Sequence, residues 1–388
     1  TMAGKTFEVA VVGRGMMGSA CAWFLAEAGV NVLLVGQSEP ADRKKHDGVF
    51  ASHHDDTRIA RIVDPNPVKA WLSHRALPQI RHLENLTGEK ILHDVGHLWL
   101  GPAEEVAVMA ASDQNLNLGC QQFSPEEVGQ EFTALSPPAD LPGIFQATGA
   151  GHIDPRAYVR AEGAAAEQAG TSVVDALVGA VKEQNGNVTL ETSAGEFAAQ
   201  RVVLATGPFF AYGDTPANQL DLTVGTRTII HFELPAEEAQ RLAGLPSIIV
   251  KTEDKDRSFY VLPPKPQPDG RTIMKVGITR ERKHLTPSQI ADWFRSDGDL
   301  AMEPHQKQLL FDFIPNLKVL GSRTAPCVTT YTETGHPIID NLTDRVSALI
   351  AGNGYAAKCA SALGELAANR LLGKPWPTEI NQQLFQRP

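Results

Sequence analysis

The stretch from Phe7 to Gly36, FEVAVVGRGMMGSACAWFLAEAGVNVLLVG, constrains the chain most. Phe7 to Val12 is a short apolar run and reads as a buried strand. Gly13, Gly15 and Gly18 follow at the spacing G-x-G-x-x-G. A helix pattern runs from Ser19 to Ala28, Gly29 closes it, and Val32 to Val35 is a second buried strand. The three glycines differ in what they provide. One allows a tight turn, one lets backbone amides approach a pyrophosphate, and one lets the helix pack closely on the strand. The helix N-terminus then offers free N–H groups and partial positive charge to phosphates. The unit is therefore expected to bind a dinucleotide. A carboxylate should end the second strand and hold a ribose. Gly36 stands there instead, and Gln37 or Ser38 is left to bond the hydroxyls.

Bulk properties exclude several classes. The chain has 388 residues, too many for one ordinary core, so two consecutive or intertwined domains are expected. Net charge is −10 with no basic tract, which argues against nucleic acid or an anionic membrane as partner. No apolar run approaches the roughly 20 residues of a membrane span, and the start lacks a secretory signal pattern. Cys21, Cys120, Cys327 and Cys359 are scattered, with no CxxC and no disulfide framework, which suits a reducing, cytoplasmic setting.

The next informative stretch is Ser52-His53-His54-Asp55-Asp56-Thr57-Arg58-Ile59-Ala60-Arg61. Arg58 and Arg61, three apart, would share a face on a helical turn and suit a carboxylate or phosphate. A metal on His53 and His54 is not expected, because adjacent histidines point apart and no third ligand is obvious. Further on, segments near 173–197 read as a β-meander, and Arg201 to Gly207 reads as a third buried strand whose Gly207 lets backbone pass close to a cofactor. Residues 222–234 and 247–277 read as antiparallel strands, with prolines 263, 264, 266 and 268 as a loop between them. Residues 284–310 read as helical, 319–332 as mixed loop and strand, and 346–351 as a last apolar strand. Gly352-Asn353-Gly354 then opens a final helix, expected over 357–372.

Four features together resemble one family, the FAD-dependent amine oxidases of the monomeric sarcosine oxidase and N-methyltryptophan oxidase type within the D-amino acid oxidase superfamily. They are VVGRGMMG; SHHDDTRIAR, similar to the family's S-H-H-G-D-T-R-x-x-R; Met274-Lys275-Val276-Gly277; and Cys327 ahead of Tyr331-Thr332…Pro337-Ile338-Ile339-Asp340 with Gly352-Asn353-Gly354-Tyr355-Ala356-Ala357-Lys358. The likeness spans nearly the whole chain.

The resemblance implies an α/β plus α+β architecture: a Rossmann-like FAD-binding domain (1–85, 151–215, 320–388) and an antiparallel-sheet substrate domain (86–150, 216–319), both discontinuous. It implies FAD held by Gly13, Gly15, Met17, Gly18, Gln37, Ser38, His53, His54, Thr57, Arg58, Gly207, Gly352, Gly354 and Lys358, with a covalent link at Cys327. Lys275 would help oxygen accept electrons, Arg61 and Lys358 would bind a substrate carboxylate, Arg58 would tune the flavin, and Tyr260 resembles the family's active-site tyrosine. The implied reaction is oxidation of a secondary amine, an N-alkyl α-amino acid, to an imine with O2 reduced to H2O2, by a monomer or small homo-oligomer. Thr279 and Thr329 stand where sarcosine oxidases carry a histidine and an aromatic, so a reshaped pocket is expected and sarcosine itself is doubtful. The rivals are a dehydrogenase passing electrons to a quinone or carrier, a flavin-binding subunit without turnover, and an NAD-dependent reductase.

Overall fold

A computed structural model describes residues 6–278 and 283–387; Thr279 lies outside them. The first sheet grows from the glycine unit. Strand Thr6–Val12 pairs in parallel with Val32–Val35 on one side and Gly195–Leu204 on the other, and Ser172–Val174 and Val346–Ile350 extend the two flanks in parallel. These strands are apolar runs because helices cover the sheet. Val32–Val35 and Val346–Ile350 are buried at every residue. Helix Met16–Glu27 packs on Pro155–Gln168 and Ala360–Leu371. The meander appears as Val178–Gln184 antiparallel to Asn187–Thr192, which in turn is antiparallel to the start of Gly195–Leu204, and Ile338–Asn341 turns back on Val346–Ile350.

Among the described residues the second sheet has nine strands and is antiparallel except where Ser247–Val250 meets His97–Leu100. Strand Gly321–Tyr331 pairs with Thr223–Glu233 along its whole length. The stretch 321–331, grouped above with the cofactor segments, therefore runs in the other sheet. A third, small sheet joins Arg58–Ala60, Gly151–Ile153 and Leu92–His93.

Several local expectations are corrected. Ser52 to Arg61 forms no helical turn: Arg58–Ala60 is a strand, antiparallel to Gly151–Ile153. Of the four prolines expected in a loop, Pro268 does lie in the turn before Thr272–Ile278, but Pro263, Pro264 and Pro266 belong to strand Phe259–Pro266, where a register shift between Leu262 and Lys265 takes up residues that cannot donate. The helical region after 284 is interrupted: helices Pro287–Arg295 and Glu303–Phe313 are separated by a turn with Gly298 at φ +81°. The last helix is delayed, with a 3₁₀ turn Ala356–Cys359 preceding Ala360–Leu371.

Candidate active site

A cavity of about 420 Å³ opens where the C-terminal ends of the parallel strands face the second sheet, the place where open α/β sheets bind ligands. At one end lies the glycine turn. Gly13 takes φ +110°, and an added Cβ would sit 2.2 Å from the Ala205 carbonyl. At Gly18 it would sit 2.0 Å from the Gly13 carbonyl, so Gly18 serves packing and does not line the cavity. At Gly15 nothing lies within 4 Å, so its open side is room for a ligand. Helix Met16–Glu27 has no side-chain cap and no acid in its first turn, which leaves its N–H groups available to an anion. Arg14, not singled out from sequence, lines the same end.

Gln37 and Ser38 also line the cavity. The Gln37 side chain accepts from the Val49 N–H at 3.1 Å, and the Ser38 N–H donates to Asp175 at 3.0 Å. Asp175 follows the neighbouring strand Ser172–Val174, so a carboxylate does stand beside Ser38, from a segment sequence reading did not connect with it, although it does not itself line the cavity. Met17 and Gly207 line the cavity as well.

The other end gathers cations in two pairs, each around one buried acid. Lys275, 3% exposed, comes from strand Thr272–Ile278; its ammonium is paired with Asp55 and donates to the Thr57 carbonyl at 2.7 Å. Arg58 Nε lies 3.3 Å from the same Asp55 oxygen, and His231 faces the other oxygen at 3.6 Å. Burial alone would raise the Asp55 pKa, but Lys275, His231 and Arg58 hold it well below the usual carboxylate range. Asp55 stands where the resembled motif has glycine.

Arg61 donates to Asp64 at 2.8 Å and to the Val63 carbonyl at 3.1 Å, and its guanidinium lies 4.9 Å from the Trp99 ring centre. Lys358, on the 3₁₀ turn, lies 3.5 Å from the same Asp64 oxygen. Burial and Arg61 outweigh Asp64 and push the Lys358 ammonium down to about 8. The stretch carrying Arg61 is pinned by Gln146, fully buried, whose amide oxygen accepts from the Ile62 and Val63 N–H groups at 2.9 and 3.1 Å. Asp64 and Gln146 were missed, because nothing in their local sequence says what they face.

Cys327 is 8% exposed, with Arg58 Nη2 3.6 Å from its sulfur. Trp293 donates to its carbonyl at 2.8 Å. Tyr260 lies over Gly277 across the ladder, and its ring centre is 5.9 Å from the Lys275 ammonium. Gly352 and Gly354 line the wall beside Lys358, in a loop where Ala351 and Asn353 take φ of +78° and +51°. Such strain in non-glycine residues persists only where surroundings enforce it; here Asn353 accepts from the Thr332 N–H and donates to the Ala351 carbonyl.

His53 lines the cavity; His54 sits behind it and Thr57 contributes only its carbonyl. The two histidine rings meet edge to face at 4.7 Å, and with Glu39 their ligand atoms lie within 4.8 Å of one another. The premise that adjacent histidines diverge, with no third ligand, therefore fails. Arg156 nevertheless holds the Glu39 carboxylate at 2.7 Å, and burial together with this arginine pushes His54 down to about 4.

The donor set fits a dinucleotide carrying a redox ring: bare backbone and helix N–H groups at one end, and a thiol and a surplus of cations at the other. The comparisons agree. The monomeric sarcosine oxidase of Bacillus sp. (strain NS-129) is 25% identical over 391 residues, covering 98% of this chain and 96% of that one. The N-methyl-L-tryptophan oxidase of Yersinia pestis (strain Pestoides F) is 23% identical over 384 residues, covering 97% of each. The structure of NikD, an unusual amino acid oxidase essential for nikkomycin biosynthesis, superposes with a TM-score of 0.76 at 20% identity, covering 99% of this chain and 98% of that one. The family described as FAD dependent oxidoreductase (DAO) matches residues 8–370, nearly the whole chain, and this protein belongs to it as an FAD-dependent oxidoreductase.

Proposed function

We propose that the chain oxidises a secondary amine, an N-alkyl α-amino acid related to sarcosine, to an imine that water then hydrolyses, with O2 reduced to H2O2. The observation that carries the reading is convergence. Arg58 and Arg61, Lys275, and Lys358 come from three separated stretches and line one cavity with the glycine turn. Gly13, Gly15 and the helix N-terminus would hold the pyrophosphate of FAD; Gln37 and Ser38 its ribose; His53, Arg58, Gly352 and Gly354 its ring, with a thioether at Cys327. FAD supplies the two-electron acceptor chemistry.

The chain's own residues do the rest. Arg61 and Lys358 grip the substrate carboxylate, and Asp64 keeps both in place. Positive charge exceeds acid in this cavity, which favours the neutral amine over the ammonium form. That suits a reaction in which the amine gives up electrons. Binding in a fixed pose then supplies much of the rate.

The test is anaerobic mixing of the purified yellow protein with N-alkyl amino acids, followed by air. Bleaching, rapid recovery of colour and peroxide are expected; an unchanged spectrum with every such amine sinks the proposal. Acid precipitation tests the thioether: flavin that stays in the supernatant removes it.

One observation favours a second reading of the acceptor. A free ammonium would stabilise charge growing on oxygen, but Lys275 is paired with buried Asp55. Slow recovery in air with fast transfer to a quinone would make the protein a dehydrogenase.

A further inference from the structure

At the Cys327 end of the cavity, four of five lining cations lean on acid: Arg58 and Lys275 on Asp55, Arg61 and Lys358 on Asp64. The fifth, Arg227, does not. It stands in strand Thr223–Glu233 opposite Cys327. Its Nη1 donates to the Ile278 carbonyl at 3.1 Å, its Nη2 to the Tyr331 hydroxyl at 2.9 Å, and its Nε to Thr329 Oγ1 at 3.5 Å. All three acceptors are neutral, and no carboxylate pairs with it among the described residues.

A guanidinium carries five N–H donors in a planar fork. Three are committed here, so two remain. A partly buried cation without a counter-ion costs free energy, and a tie between strands needs only neutral donors. The missing anion is therefore expected from the ligand. We propose that Arg227 is a second carboxylate anchor, and that the substrate is a dicarboxylic secondary amine: an N-carboxyalkyl α-amino acid, or an N-alkyl derivative of an acidic amino acid.

This rests on amine oxidation in the same cavity and narrows it. One carboxylate sits on Arg61 and Lys358, the other on Arg227. The two anchors flank a short stretch of wall. Thr329, beside the Arg227 Nε, also lies against Gly354, where an added Cβ would be 3.4 Å from its methyl; Gly354 is in the loop that runs into Lys358. A planar fork takes a carboxylate with two parallel bonds, which a lysine does not reproduce.

The experiment is calorimetric binding to the holoenzyme, read without turnover. The ligands are thioether acids, in which sulfur replaces the oxidisable nitrogen: methylthioacetate as the monocarboxylate, and a series with a second carboxylate one to three methylenes beyond the sulfur. At least one dicarboxylate should bind about tenfold or more tighter than methylthioacetate, the worth of a charge-assisted pair. Arg227→Gln should erase that advantage and leave methylthioacetate within about twofold, which also establishes that the variant is folded. Arg227→Lys should restore part of it, and Arg61→Gln should weaken both ligand types. The inference is overturned if no dicarboxylate outbinds the monocarboxylate, or if Arg227→Gln weakens both alike. Oxidation of monocarboxylic N-methyl amino acids without any dicarboxylate advantage would sink this inference and spare amine oxidation. Arg227-dependent dicarboxylate binding with no amine oxidised would do the reverse.

Discussion

Asp55 governs how much of the Lys275 charge the cavity feels. Its folded pKa lies below the unfolded value, so it contributes stability above the ordinary carboxylate range and loses it as pH falls through the folded value. Asp55→Asn would leave Lys275 and Arg58 buried without their counter-ion, at a cost of about 3 kcal/mol or more. Denaturant melts should show that loss. In the same variant the freed ammonium should speed recovery of colour in air, and a slower recovery would contradict the role given to Lys275. The second acid-bound pair makes a pH prediction. Lys358 is charged below about 8 and neutral above it. A monocarboxylate inhibitor with no titrating amine should therefore bind more weakly as pH rises through about 8. Lys358→Met should bind weakly throughout and show no inflection; a persistent inflection would assign the titration elsewhere.

Among the elements, those with two buried faces were legible from sequence. Val32–Val35 and the Val9–Val12 end of Thr6–Val12 are plain apolar runs because helices and neighbouring strands cover them, and the glycine spacing marks the turn between strand and helix. Arg58–Ala60 was not legible, since three residues carry no period that separates strand from helix. Gly321–Tyr331 read as mixed because its first half is largely exposed and its second half buried. The glycine unit gives a paired test. Gly15→Ala puts a Cβ into open space, so the apoprotein should melt as the parent does while flavin affinity falls. Gly18→Ala drives a Cβ into the Gly13 carbonyl, so the apoprotein itself should lose stability. Thermal melts of both apoproteins, beside flavin titrations with Cys327 also replaced by serine so that the cofactor exchanges, check this; equal melting losses would mean that Gly15 too is a packing residue.

At the scale of the whole molecule, the sequence pointed to the cavity wall where polar residues cluster in one stretch, as in Ser52 to Arg61. It did not where the chemistry depends on what lies across a cavity. Asp64, Gln146 and Arg227 sit in stretches without a motif, and their roles come from partners up to 294 positions away, the separation of Asp64 from Lys358. The cavity lies between the two large sheets, with the glycine turn in one and Lys275, Arg227 and Cys327 in the other. A ligand spanning it would therefore tie the sheets together. A group that binds only the folded state stabilises it by an amount that grows with its concentration, about 4 kcal/mol at a thousand times Kd. Cys327→Ser removes the proposed thioether and makes the cofactor exchangeable. Apoprotein of this variant should gain melting temperature steadily as FAD is added. AMP, which reaches only the glycine turn, should raise it far less, and riboflavin, lacking the pyrophosphate, should also fall short. Equal gains from AMP and FAD would mean that the second sheet contributes nothing to holding the ring, and that Cys327, Lys275 and Arg58 do not surround it.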